Sequence, residues 1–340
     1  MRFIKGVLLL LVCSLAYSEV ILPDPLRLML AKYMRFTNHD VRQVKRGEVV
    51  NKALESQSKN ELVFFGIIHT NAPAALLVKK FRDIETFKKG EAVLKVKKLS
   101  DPPVRTDFDS LVLEKEDLKE LEKCRPGKCD MKLSTEMVAR IRNGVDWEAK
   151  DHAEKVNKLY RDLLFEYVQA YLAGGNASLI EYHDKAKPVS LKNEFSAIIK
   201  GSRYINEKLP EFSAYLSDYP NKRLDGVENF LYWSKETLKF RPVITITHVT
   251  IYRANSKEAF FASKQIYANH YLTGSLAITG LISQNGFEKP GFYMFYLNRT
   301  RTDMLGGLLG GLKRSIARSR STAALEENLT EIKNRLENEE

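Results

Sequence analysis

The sequence predicts an α+β fold: an antiparallel sheet closed by a long C-terminal helix and carrying a large helical insertion. Runs rich in β-branched residues fill Pro242–Thr300, and such residues suit strands. A helical pattern follows from Asp303 to Leu336. Residues 110–240 have an almost wholly helical pattern, and strand patterns stand on both sides of them. The sheet is therefore expected to form from two separated parts of the chain.

The first 18 residues have the pattern of a secretory signal peptide. Arg2 and Lys5 precede an apolar run of eleven residues, and small residues favour cleavage after Ser18. That run is too short to cross the ~30 Å hydrocarbon core as a helix. A lipoprotein alternative would use Cys13, but Val12 stands where a small residue is expected. We expect an exported chain, periplasmic or secreted.

The charge of the chain is strongly positive. Its formal net charge is +11, and removal of residues 1–18, which hold one Arg, one Lys and no acid, leaves +9. A basic chain favours anionic surfaces, although a lysine-rich surface is often only a well-solvated one. Because we expect export, an anionic membrane is a candidate peripheral partner and nucleic acid is not.

Residues 19–109 are predicted to form the N-terminal α/β part of the sheet domain. A short apolar helix at Pro25–Tyr33 lies in an otherwise irregular start, and Leu62–His69 has the pattern of a buried strand. Asn71-Ala72-Pro73 then starts a helix, because proline is favoured in the first turn, and Gly90 ends it. A second strand is predicted at Ala92–Leu99.

Residues 110–240 are predicted to form the helical insertion. Its longest helix spans Asp151–Ala173, where large apolar residues make one broad stripe before a glycine pair. Shorter helices are predicted around Leu191–Lys200, Pro210–Ser217 and Val227–Leu238.

Two cysteines in this insertion flank a tight turn. Cys124 and Cys129 enclose Pro126 and Gly127, which suit the central positions of a type II turn. An oxidising compartment would join two cysteines held this close as a disulfide. A redox or metal role would require different spacing or more cysteines.

Residues 241–340 are predicted to form antiparallel strands and the C-terminal helix. Strands are expected at Val243–Tyr252, from Phe260 onward with a break near Leu272–Gly274, and at Phe292–Thr300. The helix is predicted to open at Gly306, with an apolar stripe given by Leu305, Leu309, Leu312 and Ile316.

Paired glycines mark the start of this helix. Gly306, Gly307, Gly310 and Gly311 strip one helical face of side chains, at a cost of roughly 1 kcal/mol each against alanine. Such a face usually permits close approach of a sheet, another helix or a ligand. Gly306 and Gly310 are therefore candidates for a ligand-contacting surface.

Three cationic or titratable residues interrupt apolar strands and are the candidate ligand-binding side chains. They are His248, Lys264 and His270. Inside a cavity they would anchor the polar end of a ligand, and otherwise their face meets solvent. The hairpin register predicts that His248 and Lys264 are neighbours and that His270 acts separately. Tyr267 is predicted to lie on the face opposite to Lys264.

Several kinds of chemistry are not indicated by the sequence. It contains no phosphate-binding loop, dinucleotide fingerprint, His-Glu-x-x-His motif or Gly-x-Ser-x-Gly elbow. Its histidines lack metal-ligand spacing, so we predict no metal and no cofactor. A basic cluster on the last strand and helix is either a membrane-docking face or a solvated one: Arg299, Arg301, Lys313, Arg314, Arg318 and Arg320.

The order of elements resembles the helix-grip fold of START-related lipid-transfer and polyketide-cyclase-like proteins, the SRPBCC superfamily. The resemblance rests on Leu62–His69 with Ala72–Phe87, and on Val243–Thr300 with Asp303–Leu336. It implies an apolar ligand held between the sheet and the terminal helix, with the helical block inserted. The chain also looks like an exported bacterial family that carries no functional assignment.

These observations lead to three functional hypotheses. The first is an exported binding or transfer protein for a hydrophobic or amphiphilic, lipid-like ligand. The second is an enzyme on the same scaffold, with His248 or His270 as general base and Lys264 or a tyrosine stabilising an oxyanion. The third is a structural envelope protein whose helical block docks a partner. The sequence favours the first, without covalent chemistry.

Overall fold

The computed structural model describes residues 22–238, 241–306 and 309–338. The signal peptide and its cleavage after Ser18 lie outside the described residues and stay predictions. Within the described ranges, no helix is both long enough and apolar enough to cross a membrane.

The centre of the protein is an eight-stranded antiparallel sheet, as the predicted α+β class requires. Its order is β1-β2-β10-β9-β8-β7-β6-β3. The strands are β1 Val50–Leu54, β2 Glu61–Pro73, β3 Val93–Lys98, β6 Val227–Leu238, β7 Arg241–Arg253, β8 Glu258–Ala268, β9 Leu272–Ser283 and β10 Pro290–Thr302. Two short strands, β4 Glu181–Tyr182 and β5 Val189–Ser190, pair separately.

Helices cover both faces of this sheet. They are α1 Asp24–Lys32, α2 Asn38–Lys45, α3 Ala74–Arg82, α4 Ile84–Phe87, α5 Lys115–Lys123, α6 Thr135–Gly144, α7 His152–Gly174, α8 Leu191–Gly201, α9 Arg203–Lys208, α10 Pro210–Ser217 and α11 Gly310–Glu337. The predicted helix at Pro25–Tyr33 and strand at Ala92–Leu99 are confirmed as α1 and β3. Residues 34–60 hold more regular structure than expected, because α2 and β1 form there.

Two hydrophobic cores lie on opposite faces of the sheet. On the face that we call the insertion face, Phe65, Ile246 and Phe260 belong to the same core as residues of α7 and α8. On the other face, which we call the α11 face, Phe64 and Phe261 share a core with α3 and the C-terminal half of α11. Because strand residues alternate between faces, neighbours along one strand enter different cores.

The prediction of a helix at Val227–Leu238 is wrong, because this segment is β6. It pairs with β7 along its full length, from Val227 opposite Tyr252 to Leu238 opposite Arg241. Its leucine, glutamate and lysine residues favour helix in isolation. In the folded protein, adjacent residues such as Tyr232 and Trp233 enter different cores on opposite faces of the sheet. The helices of the insertion therefore end at Ser217, and β6 belongs to the main sheet.

The cysteine turn has the predicted geometry. Gly127 has φ +82°, which the second central position of a type II turn requires. Cys124 and Cys129 lie at disulfide-bonding distance, with Cα atoms 4.7 Å apart.

The helix glycines do not form the predicted contact surface. The helix begins at Gly310 rather than Gly306, and Gly307 lies outside the described residues. Among described atoms, a Cβ on Gly311 would meet nothing within 4 Å, and one on Gly306 or Gly310 would meet only backbone of residues 303 to 305. A strand glycine provides the close approach instead, because a Cβ on Gly66 would lie 2.5 Å from Leu329 of α11.

The predicted apolar stripe of α11 is also wrong. Of its four residues, only Leu305 is buried, whereas Leu309, Leu312 and Ile316 are exposed. The residues of α11 that are buried lie in its C-terminal half: Leu325, Leu329 and Leu336.

Candidate functional site

His248 and Lys264 are neighbours, as the hairpin register predicted. They stand directly opposite each other on β7 and β8. Each is only 3% exposed. They lie on the insertion face, however, beneath the helical block. The expectation that they point into the space between the sheet and the C-terminal helix is therefore wrong.

The two residues belong to a hydrogen-bonded chain. Lys264 Nζ donates to Tyr171 Oη (3.2 Å) and also to Asn176 Oδ1. His248 Nε2 lies 2.9 Å from Oδ1 of the Asn229 side chain. An amide oxygen only accepts, so Nε2 carries the proton. Tyr171 Oη then donates to His248 Nδ1, 2.8 Å away. Each polar side-chain atom in the chain Lys264–Tyr171–His248–Asn229 has a hydrogen-bond partner.

Burial makes the neutral forms of this chain the stable ones. It lowers the pKa of Lys264 well below its ordinary value. Burial, helped by the field of Lys264, lowers the pKa of His248 to about 3. Burial also raises the pKa of Tyr171. No charge therefore needs a counter-ion here, which is consistent with the absence of a carboxylate from the contacts of Lys264.

A neutral amine and a neutral imidazole are the forms that a nucleophile and a general base need. Access is the difficulty. Lys264 Nζ lies 4.2 Å from the centre of the Phe195 ring. The ring centres of Tyr219 and His248 are 4.6 Å apart. Both rings come from the helical block, so the cluster joins that block to the sheet.

His270 lies apart from this cluster, as predicted. It lies in the connection between β8 and β9, two residues before the start of the expected break at Leu272–Gly274. Its Nε2 faces Asp117 Oδ1 at 2.9 Å and its Nδ1 faces the backbone oxygen of Asp130 at 3.0 Å. Both ring nitrogens thus meet acceptors from the insertion, and His270 ties that segment to the sheet.

A second buried lysine was not anticipated from the sequence. Lys132 Nζ contacts Asp184 at 3.2 Å and Asp303 at 2.6 Å. A buried ammonium without a carboxylate partner would be costly, and these two aspartates provide that partner. This group connects the insertion to the turn before α11.

A different set of polar residues lies on the α11 face. Thr247 stands opposite Gln265 on one side and Tyr232 on the other. Farther along β6, Ser234 Oγ contacts Thr245 Oγ1 at 3.1 Å and donates to Glu236 at 2.5 Å. We call this group the polar belt: Tyr232, Ser234, Glu236, Thr247 and Gln265.

Gln265 is the unsatisfied member of the belt. It is only 5% exposed, and neither its Nε2 nor its Oε1 has a hydrogen-bond partner among the described residues. A buried polar group without a partner costs about 1–3 kcal/mol. Native proteins rarely keep such a group without a reason. The amide is therefore the strongest sign of a binding position on this face.

Lys88 lies over the belt and pairs with Glu236. The ion pair measures 2.9 Å, and each side chain is 24% exposed. Burial alone would lower the pKa of Lys88, but Tyr232 and Glu236 hold it above its usual value. Burial pushes the pKa of Glu236 upward, yet Lys88 and Ser234 keep it below its usual value. The pair is therefore ionised and internally neutral.

Tyr296 of β10 is half-buried on the same face of the sheet. Burial raises the pKa of Tyr296, Asn298 and then Lys88 act to lower it, and Tyr232 and Glu236 act to raise it. The charges of the belt therefore act on this hydroxyl.

Aromatic and apolar side chains share the α11 face with the belt. Phe81, near the end of α3, packs on Phe261 of β8 with ring centres 4.5 Å apart. Partly exposed hydrophobic residues of the same core include Phe87, Tyr296 and Ala317. This arrangement suits a molecule with one polar and one apolar part.

Neither a metal site nor a known relative adds to this picture. Within the described residues, no group of three or more His, Cys, Asp or Glu side chains is placed to hold a metal ion. No family model, curated protein or solved structure matches the chain.

The sequence contained a usable signal for the belt. Two strands that are otherwise rich in apolar residues carry hydroxyl and amide side chains at alternate positions: Thr245 and Thr247 on β7, and Ser263 and Gln265 on β8. The prediction relied on cationic and titratable residues, which lie on the insertion face. Hydroxyl and amide residues at every second position of β7 and β8 would have indicated the α11 face.

Proposed function

We propose that this protein binds a small amphiphilic molecule between the sheet and α11. The observation that carries the proposal is the buried Gln265 amide without a partner. A ligand that both donates and accepts hydrogen bonds would satisfy its two ends. The adjacent apolar side chains Phe87, Tyr296 and Ala317 would contact the rest of the ligand.

The electrostatics favour a ligand with an uncharged polar group. Lys88 already has Glu236 as its partner, so the belt offers no unpaired cation. An anionic head would have to compete with Glu236, and buried charges need partners. An alcohol or amide head meets neither difficulty.

We propose further that the sheet domain is a helix grip with an inserted helical block. A strand, two helices and a strand are followed by the block, five antiparallel strands and α11. This is the order on which the resemblance to START-like proteins rests. The proposal explains why α11 packs on the face of the sheet that holds the polar belt.

Neighbouring residues of β8 provide a matched test. Gln265→Leu removes the amide, whereas Lys264→Met alters the opposite face of the same strand. Binding is measured with dansyl-labelled fatty alcohol and fatty acid, together with native mass spectrometry of protein from its own host. We expect Gln265→Leu to weaken alcohol binding about tenfold, the usual size of a lost buried hydrogen bond. Lys264→Met should leave binding unchanged.

Stability gives an independent measurement. Since Gln265 is unsatisfied in the free protein, leucine should raise the free energy of unfolding by about 1–3 kcal/mol. A variant that is more stable but binds less well is typical of a functional position. Unchanged binding together with lower stability would instead identify Gln265 as a structural residue and contradict the proposal.

The enzyme hypothesis is not our proposal, because its residues are enclosed. His248, Lys264 and His270 are each at most 3% exposed. Their hydrogen bonds are made with the helical block and the sheet. The same observation removes them from our ligand site.

Export is part of the proposal. A cysteine pair at disulfide-bonding distance is expected in oxidising compartments. N-terminal sequencing of the protein from its host should begin at Glu19, in a periplasmic or secreted fraction.

A further inference from the structure

The beginning of α11 exposes three large apolar side chains. Leu309, Leu312 and Ile316 are 62%, 59% and 47% exposed. With about 100° between successive residues of an α-helix, they lie within about 60° of one another on one face. They thus form a small continuous apolar surface, and not three scattered residues.

The protein itself does not use this surface. The first buried residue of α11 is Leu325, fifteen positions after the helix begins at Gly310. Before it, the helix is held at its sides, by Arg314 donating to the backbone oxygen of Lys59 and by the Arg318–Glu55 ion pair. The apolar face points away from these contacts.

Two cations lie along one side of the apolar face. Lys313 and Arg320 are exposed, and at about 100° per residue they lie within about 20° of each other, next to Ile316. Lys313 contacts a backbone oxygen, that of Gly306, at 3.4 Å. Arg320 has no carboxylate partner among the described residues. By contrast, Arg299 and Arg301 of the predicted basic cluster are paired with Glu61 and Glu194.

We propose that residues 309–320 form a docking surface for an anionic lipid bilayer. A helix face with large apolar residues bordered along one side by cations suits the boundary between head groups and acyl chains. Self-association is disfavoured by the charges, since a twofold interface would bring Lys313 and Arg320 of one copy against those of the other. The net charge of +9 expected after removal of residues 1–18 adds attraction to an anionic surface.

The expected effects follow from the two kinds of side chain. Each cation near an anionic membrane contributes about fivefold in affinity, so Lys313→Glu with Arg320→Glu should weaken binding by about 25-fold or more. Leu312→Glu with Ile316→Glu should weaken it at least about tenfold, because the apolar contact is lost. Added salt should weaken wild-type binding.

The test is cosedimentation of the mature chain with vesicles. One set is pure phosphatidylcholine and the other contains phosphatidylglycerol. Wild type should bind the anionic set and bind pure phosphatidylcholine weakly. Leu28→Glu is the matched control, because Leu28 is also an exposed leucine on a helix, 47% exposed, but lies on α1. It should bind as wild type does.

Three results would overturn the proposal. One is wild-type protein that does not bind anionic vesicles. Another is equal loss of binding in Leu28→Glu and in the α11 variants, which would indicate a nonspecific charge effect. The third is a dimer in sedimentation velocity that Leu312→Glu dissociates, which would assign the surface to a second copy. The native circular dichroism of each variant is recorded first, and salt dependence of the wild type tests the proposal without any variant.

Discussion

Replacement of Lys264 by methionine should remove a large part of the pH dependence of stability. In the folded protein, burial lowers the pKa of Lys264 well below its ordinary value of 10.5. The unfolded chain therefore binds a proton that the folded chain does not. Stability must rise with pH wherever the unfolded state binds more protons. For the wild type, we expect stability to fall as the pH is lowered below about 10.5.

The magnitude comes from two opposing effects. The cost of holding the amine neutral is about 1.4 kcal/mol for each pH unit between the folded pKa and 10.5. Methionine removes this cost. It also leaves Tyr171 and Asn176 without the hydrogen bonds that Lys264 donates, at about 1–3 kcal/mol for each stranded acceptor. The variant should thus be less stable than wild type at pH above 10 and should gain on it steadily toward neutral pH.

Urea unfolding at stepped pH measures the difference. The free energy of unfolding of Lys264→Met minus that of wild type should change by about 1.4 kcal/mol per pH unit. Lys289→Met is the control, because Lys289 is exposed, and its curve should run parallel to that of wild type. Parallel curves for Lys264→Met as well would show that Lys264 is charged in the folded protein, and the reasoning from burial would fail.

The remaining predictions concern one residue or one pair each. His248 has a folded pKa of about 3 against 6.5 in the unfolded chain, so wild type should lose about 1.4 kcal/mol per pH unit between these values on acidification, and His248→Gln should lose less in the same urea series. Gly66→Val should destabilise the protein by about 1–3 kcal/mol through overpacking against α11. Gly311→Ala should stabilise the protein by up to about 1 kcal/mol. Equal thermal shifts in Gly66→Val and Gly311→Ala would contradict the close packing of Gly66 against α11. Reduction of Cys124–Cys129 should cost about 2 kcal/mol for so short a loop, and thiol labelling of the unreduced, unfolded chain should find no free cysteine.

The strands of the C-terminal part were predictable because their own residues specify them. β7 contains Val243, Ile244 and Ile246 in succession with threonines, and few sequences of that kind form helices. β6 was missed because its residues favour helix locally and its partner strand decides its structure. Tertiary pairing overrides propensity in such a segment.

The face on which each side chain lies was harder to predict. Parity placed Tyr267 opposite to Lys264, yet a bulge between Ile246 and Thr247 of β7 and their partners on β8 shifts the register. Tyr267 therefore lies on the insertion face, where its hydroxyl contacts that of Tyr160 at 3.0 Å. A bulge inserts one residue and reverses the alternation beyond it. Nothing in the sequence of β8 marks Ile266 as the extra residue.

The candidate site was misplaced for a related reason. Both faces of this sheet are covered, so an ionisable residue among apolar ones does not identify the face that holds a ligand. Lys264 is satisfied by the helical block, and its polar chain explains how that block attaches to the sheet. Gln265, the next residue along β8, faces the other core and has no partner among the described residues. Of these two adjacent polar residues, the satisfied one supports a structural role. The unsatisfied Gln265 amide is costly unless a ligand supplies its hydrogen bonds, so we propose the ligand site on the α11 face.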